Sequence, residues 1–150
     1  MRKARLRGLW IGRLRAMVRG AETPPWLVLE RIGRACGVTE MAEVYHDWTA
    51  RYRSKLHAEC ASPLGVELRL LIAEVAPTLR AFSSRLGFNY SVLVRDLQRI
   101  DRDEPIKWFH VERILRAAGL PPDGDRWREV RALWSTADSR RKKPGNTFNG

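Results

Sequence analysis

Residues 26–37 read W-L-V-L-E-R-I-G-R-A-C-G, and residues 108–119 read W-F-H-V-E-R-I-L-R-A-A-G. Trp26 and Trp108 stand 82 residues apart (108 − 26), and this offset holds without a gap to Gly37 and Gly119. Glu30, Arg31, Ile32, Arg34 and Ala35 are matched by identical residues at 112, 113, 114, 116 and 117. After four extra residues in the second copy, E-V-Y-H-D-W ending at Trp48 meets E-V-R-A-L-W ending at Trp134. Two helices and the turn between them therefore occur twice, the signature of a duplicated helical module.

Working outward, every other stretch also has helical spacing. Leu6, Leu9, Trp10, Leu14, Met17 and Val18 fall near one face of a first helix, with arginines opposite. Gly20 ends it, and Thr23 before Pro24 and Pro25 is a candidate cap for the next helix. A third helix covers about Glu40 to Tyr52, and the mixed polar segment 54–63 is expected to be a linker. Leu68, Leu71, Ile72 and Val75 mark a helix over Glu67 to Ala76. Leu79 to Leu86 and Tyr90 to Arg99 follow as a close pair, and Asp125 to about Ala137 is the last helix. No stretch alternates as a strand would, so the expected class is all-α.

The chain has 28 Lys+Arg against 17 Asp+Glu, a net charge of +11 and a pI near 10.8. Arginines make up 23 of the 28 cations; their planar fork suits phosphate and guanine edges, which points to nucleic acid as partner. Charge alone gives only nonspecific binding. Two cysteines, Cys36 and Cys60, are too few for a disulfide framework. No run of 18 apolar residues exists, so no membrane span is expected, and a cytoplasmic, nucleoid-associated location follows.

Residues 79–97, L-R-A-F-S-S-R-L-G-F-N-Y-S-V-L-V-R-D-L, carry the functional signal. A helix-turn-helix unit needs a small residue where its helices cross, a glycine in the turn and apolar residues that lock the second helix. Ser83, Gly87 and the set Leu86, Phe88, Leu93 and Leu97 supply these.

With those residues in place, the chain resembles the lambda-repressor/Cro-like (XRE-type) helix-turn-helix family, in the form common in actinobacteria. Residues 64–137 resemble the whole five-helix module. Residues 1–53 resemble its later part only, from the recognition helix onward, and 138–150 is expected as a basic disordered tail. The resemblance implies a transcriptional regulator that binds double-stranded DNA with the helix Tyr90–Arg99 in the major groove. It implies base contacts from Asn89, Tyr90, Ser91 and Arg95 and phosphate contacts from Thr78, Gln98 and Arg99. The acids of Arg99-Ile100-Asp101-Arg102-Asp103-Glu104 depart from the family's basic loop. Asp103 and Glu104 are expected to cap the next helix, started by Pro105. Asp96 stands where an apolar residue is usual. The first copy lacks the two scaffold helices, as if the chain started late at Met1, and its apolar face is expected to pack on the second module or another subunit.

The competing class is a protein-interaction module on a helix-turn-helix fold without specific DNA binding. A zinc site from Cys36, His46, His57 and Cys60 lacks paired ligand spacing. A nuclease built on Asp101, Asp103 and Glu104 lacks further carboxylates, and His110 is expected to be a packed or surface histidine. No enzyme, metal, cofactor or small-molecule ligand is therefore expected, and a homodimer is allowed.

Overall fold

The structure, a computed structural model, describes residues 2–20, 22–60, 62–87 and 89–142. Among these it has eight helices and no strand. They are α1 (Arg2–Arg19), α2 (Trp26–Ala35), α3 (Met41–Glu59) and α4 (Pro63–Val75), then α5 (Leu79–Leu86), α6 (Tyr90–Asp101), α7 (Trp108–Ala117) and α8 (Asp125–Lys142). None is long and apolar enough to cross a membrane. Phe88 and the tail residues 143–150 lie outside the described residues, as do the side chains of Leu6, Leu9 and Leu86.

The sequence repeat is also a repeat of bonds. α2 and α7 end in the same left-handed glycine, Gly37 (φ 71) and Gly119 (φ 82). In each the glycine N–H donates to the carbonyl three residues back, that of Arg34 or Arg116, and the next N–H reaches Gly33 or Leu115. This pair of bonds satisfies carbonyls that a helix end leaves without partners. Trp48 Nε1 donates to the Pro24 carbonyl at 2.9 Å, and Trp134 Nε1 donates to the Ile106 carbonyl at 2.8 Å. Pro24 and Ile106 are themselves one repeat offset apart. The rings of Trp26 and Trp48 lie 5.9 Å apart, and those of Trp108 and Trp134 lie 5.7 Å apart.

Two apolar cores result, and α4 belongs to both. Leu64, Leu68, Leu71 and Ile72 enter one core with Phe82, Leu93, Leu97, Ile114, Leu115 and Trp127. Val66, Leu70 and Ala73, on the opposite side of the same helix, enter the other with Leu14, Val18, Leu29, Val44 and Trp48. A helix that is apolar all round must be covered all round. On α1, Leu14 and Val18 of the apolar face are likewise buried inside the same chain. Around α4 the halves pack differently: α1 lies directly on α2 and α3, whereas α6 packs on α4 and α5.

Polar bonds tie α4 to both neighbours. Glu74 Oε1 accepts from Tyr45 Oη of α3 at 2.7 Å and from Arg126 Nη2 of α8 at 2.9 Å. Arg53 of α3 pairs with Glu67 at 3.0 Å, and Arg69 pairs with Asp101 of α6 at 2.6 Å. Gly65 is required by that last pair, since a Cβ there would collide with Asp101 Oδ1.

Several expectations need correction. Residues 54–59 are the end of α3, not linker, because Leu56 is buried and only the outward residues of those turns are polar. The break is short, and Ser62 caps α4 by accepting from Gly65 N–H. Residues 138–142 are helical rather than disordered, held where Arg141 Nε donates to the Asp103 carbonyl at 3.0 Å. Thr23 does not cap α2; its hydroxyl donates to the Val18 carbonyl and closes α1 instead. Asp103 and Glu104 do not cap α7, which starts at Trp108 with Lys107 at its cap position; Asp103 faces Arg141.

Candidate nucleic-acid interface

α5 and α6 are joined by a turn in which Gly87 adopts φ 70, a left-handed conformation that favours glycine. Thr78 opens α5, its hydroxyl accepting from Ala81 N–H at 3.1 Å. Asn89 opens α6, its Oδ1 accepting from Ser91 N–H at 2.8 Å. Ser83 is buried, and its hydroxyl donates to the Arg80 carbonyl at 2.8 Å. A larger residue at that crossing would need room the core does not have. Leu93, Leu97 and Ile100 fix the inner face of α6.

The outer face of α6 is then set by periodicity. Ser91, Arg95 and Gln98 follow one another at i, i+4 and i+7 and are exposed, with Arg99 and Arg102 alongside. The expected residues thus divide. Ser91, Arg95, Gln98 and Arg99 share one solvent-facing surface. Asn89 and Thr78 are also exposed, but each uses an oxygen in a helix cap, leaving the Asn89 amide donors to face outward. The Tyr90 ring is half-buried, with the Arg80 guanidinium 4.4 Å from its centre. Leu93, Ser83 and Gly87 occupy structural positions. Arg102 was missed, although its spacing of seven from Arg95 places it on the same face.

Asp96 is only 4% exposed and sits on the inner side of α6. Its Oδ2 lies 3.4 Å from His110 Nδ1 and 3.9 Å from Arg113 Nη2, both on α7. The equivalent positions in the first half are Leu14 and Val28, so two apolar side chains are replaced by a carboxyl group and an imidazole behind the exposed face of α6. His110 is a packed histidine facing a carboxylate. The loop acids are also engaged: Asp101 faces Arg69, and Asp103 lies 3.4 Å from Arg141. No group of three or more His, Cys, Asp or Glu able to hold a metal occurs among the described residues. Cys36 packs at the edge of the first core, and both cysteines are free thiols.

No family model matches the chain, and no curated protein and no solved structure is similar to it.

Proposed function

We propose that the chain is a double-stranded-DNA-binding protein of helix-turn-helix type, resembling XRE-type transcriptional regulators. In this reading α4–α8 form the five-helix module, α1–α3 are a partial copy, and α6 enters the major groove. The observation that carries the reading is the polar, cationic outer face of α6, presented on a helix whose inner face is fixed by Leu93, Leu97 and Ile100. A helix fits the width of the major groove, where base edges present distinct donor and acceptor patterns.

Arg95, central on that face, is suited to a bidentate contact with guanine O6 and N7. Ser91 and the Asn89 amide read neighbouring edges at the start of the helix. Thr78, Gln98 and Arg99 hold phosphates and set the register. The net charge of +11 adds attraction that is independent of sequence and falls with salt.

Selection of bound duplexes from a random pool, repeated across salt concentrations, tests this directly. A defined motif should emerge and persist as salt rises. Arg95→Ala should weaken binding to the selected site by roughly 1–3 kcal/mol, while nonspecific binding changes little. A pool that yields no motif, with binding lost at modest salt, would instead support an interaction module without specific DNA recognition.

A further inference from the structure

The repeat allows one half of the molecule to serve as a reference for the other, and one surface differs sharply between them. In the first half, the face of α3 carrying Tyr45, Tyr52 and Leu56 is occupied by α4. Tyr45 and Arg53 bond Glu74 and Glu67, and Tyr52, Leu56 and Pro25 line a crevice whose other wall is Arg69, Ile72 and Ala73 of α4. In the second half, α4 packs on another side of α8, that of Leu133 and Ala137, which line a crevice with Leu64 of α4. The face of α8 equivalent to the occupied face of α3 carries Arg131, Trp134 and Asp138, and it is open. Trp48 is 0% exposed, whereas Trp134, which makes the same backbone bond, is only partly buried.

That open face borders a groove of about 500 Å³ between the end of α6, the start of α7 and α8. Its floor is apolar, with Ile106 and Trp134. Its wall carries Phe109, 54% exposed. Its rim carries Arg99 and Lys107 together with Asp138, and Arg131 stands beside it on the open face of α8. Arg99 stands where the first half has Met17, and Lys107 stands where it has Pro25. Arg131 stands where it has Tyr45, with its guanidinium 4.6 Å from the Trp108 ring centre and 5.8 Å from that of Trp134. None of Arg99, Lys107 and Arg131 has a carboxylate partner among the described residues.

We infer that this groove is a docking site for an acidic amphipathic helix of a partner protein. The first half supplies the template. There, α4 offers Val66, Leu70 and Ala73 at i, i+4 and i+7, with Glu67 and Glu74 beside them, and Glu74 meets Tyr45. A helix seated the same way on α8 would bring a carboxylate to Arg131 and apolar residues to Phe109 and Trp134. Arg99 and Lys107 on the rim, with Arg131 beside it, outnumber Asp138 and favour a negatively charged occupant. A second copy of this chain fits poorly, because facing grooves would bring like charges together. The groove shares Arg99 with the outer face of α6 but does not include Arg95, and its test separates the two.

The probe is a fluorescein-labelled, stapled helical peptide of the length of α4. It carries leucines at the places of Val66, Leu70 and Ala73 and glutamates at those of Glu67 and Glu74. Titrated with the full chain and followed by anisotropy, it should bind saturably. Phe109→Asp and Arg131→Glu should each weaken it about tenfold or more, the loss expected of a central contact. A peptide with lysine at the place of Glu74 should recover binding to Arg131→Glu, which keeps the test decisive if Phe109→Asp folds poorly. Arg95→Ala should bind the probe like the parent even if it loses DNA. The proposal is overturned by absence of saturable binding or by failure of the charge reversal to recover it. It is equally overturned if duplex DNA displaces the probe and Arg95→Ala loses it, since the groove would then belong to the nucleic-acid surface.

Discussion

Trp48 and Trp134 donate to equivalent carbonyls in unequal surroundings, and that difference makes the effect of removing each donor calculable. In Trp48→Phe the Pro24 carbonyl loses its partner beneath a fully buried ring. The expected loss is about 2–3 kcal/mol, combining an unsatisfied buried acceptor with missing packing. In Trp134→Phe the ring is already partly open, and the loss should be nearer about 1 kcal/mol. Denaturant midpoints of the two variants check this, and equal losses would contradict the unequal burial. Single residues also show where sequence reading stops. The family resemblance implies a base contact for Asn89 and a phosphate contact for Thr78. A short polar residue at a helix start satisfies backbone N–H groups whether or not DNA is present, so residue type alone does not separate cap from contact. The groove at Phe109 escaped notice for a different reason. Arg99, Lys107 and Arg131 are unremarkable in an arginine-rich chain until each is set against Met17, Pro25 and Tyr45.

Among the elements, α2 and α7 were legible because both ends are written in the chain. A tryptophan starts each, and a left-handed glycine stops it. α4 was only half legible: Leu68, Leu71, Ile72 and Val75 mark one face, but burial on both sides removes the polar stripe that would reveal the other. The end of α3 was hidden by the opposite effect, since its outward residues are polar enough to pass for linker. The α3–α4 junction also carries a pH dependence. Burial, then the hydrogen bond to Glu74, raises the pKa of Tyr45; burial, then the nearby Glu59, raises that of Tyr52. Both phenols therefore keep their protons above the unfolded value of about 10. The folded chain then binds more protons than the unfolded one, and stability falls as pH rises through that range. Tyr45→Phe should lose about 1 kcal/mol near neutrality and yet decline less steeply than the parent between about pH 9 and 11. Thermal melts across that interval measure both slopes; parallel slopes would remove Tyr45 from the account.

For the whole molecule, the sharing of α4 predicts one unfolding event. Leu70 faces the core of the first half, and Leu70→Ala should cost about 2–5 kcal/mol. Because the same helix carries Leu68 and Leu71 into the other core, that loss should reach both halves. Urea unfolding followed by hydrogen exchange should show amides of α2 and α7 losing protection at one shared midpoint, lowered together in the variant. Separate midpoints would mean that the halves are independently stable. The all-α class was legible from periodicity alone, whereas the joining of the halves was not. Periodicity reports which side of a helix is covered, not what covers it.

A duplicated unit ordinarily leaves one copy free to drift while the other keeps its task. Here α4 removes much of that freedom. The helix as a whole must suit two sets of neighbours at once, with Leu64, Leu68, Leu71 and Ile72 on one side and Val66, Leu70 and Ala73 on the other, so a change that shifts it to improve one core is judged by the other as well. Apart from the buried change from Leu14 to Asp96, divergence between the copies has most room at outward positions that no shared helix constrains. The surface bounded by Arg99, Lys107 and Phe109 lies at such positions, and it is there that the second copy has had room to become something the first is not.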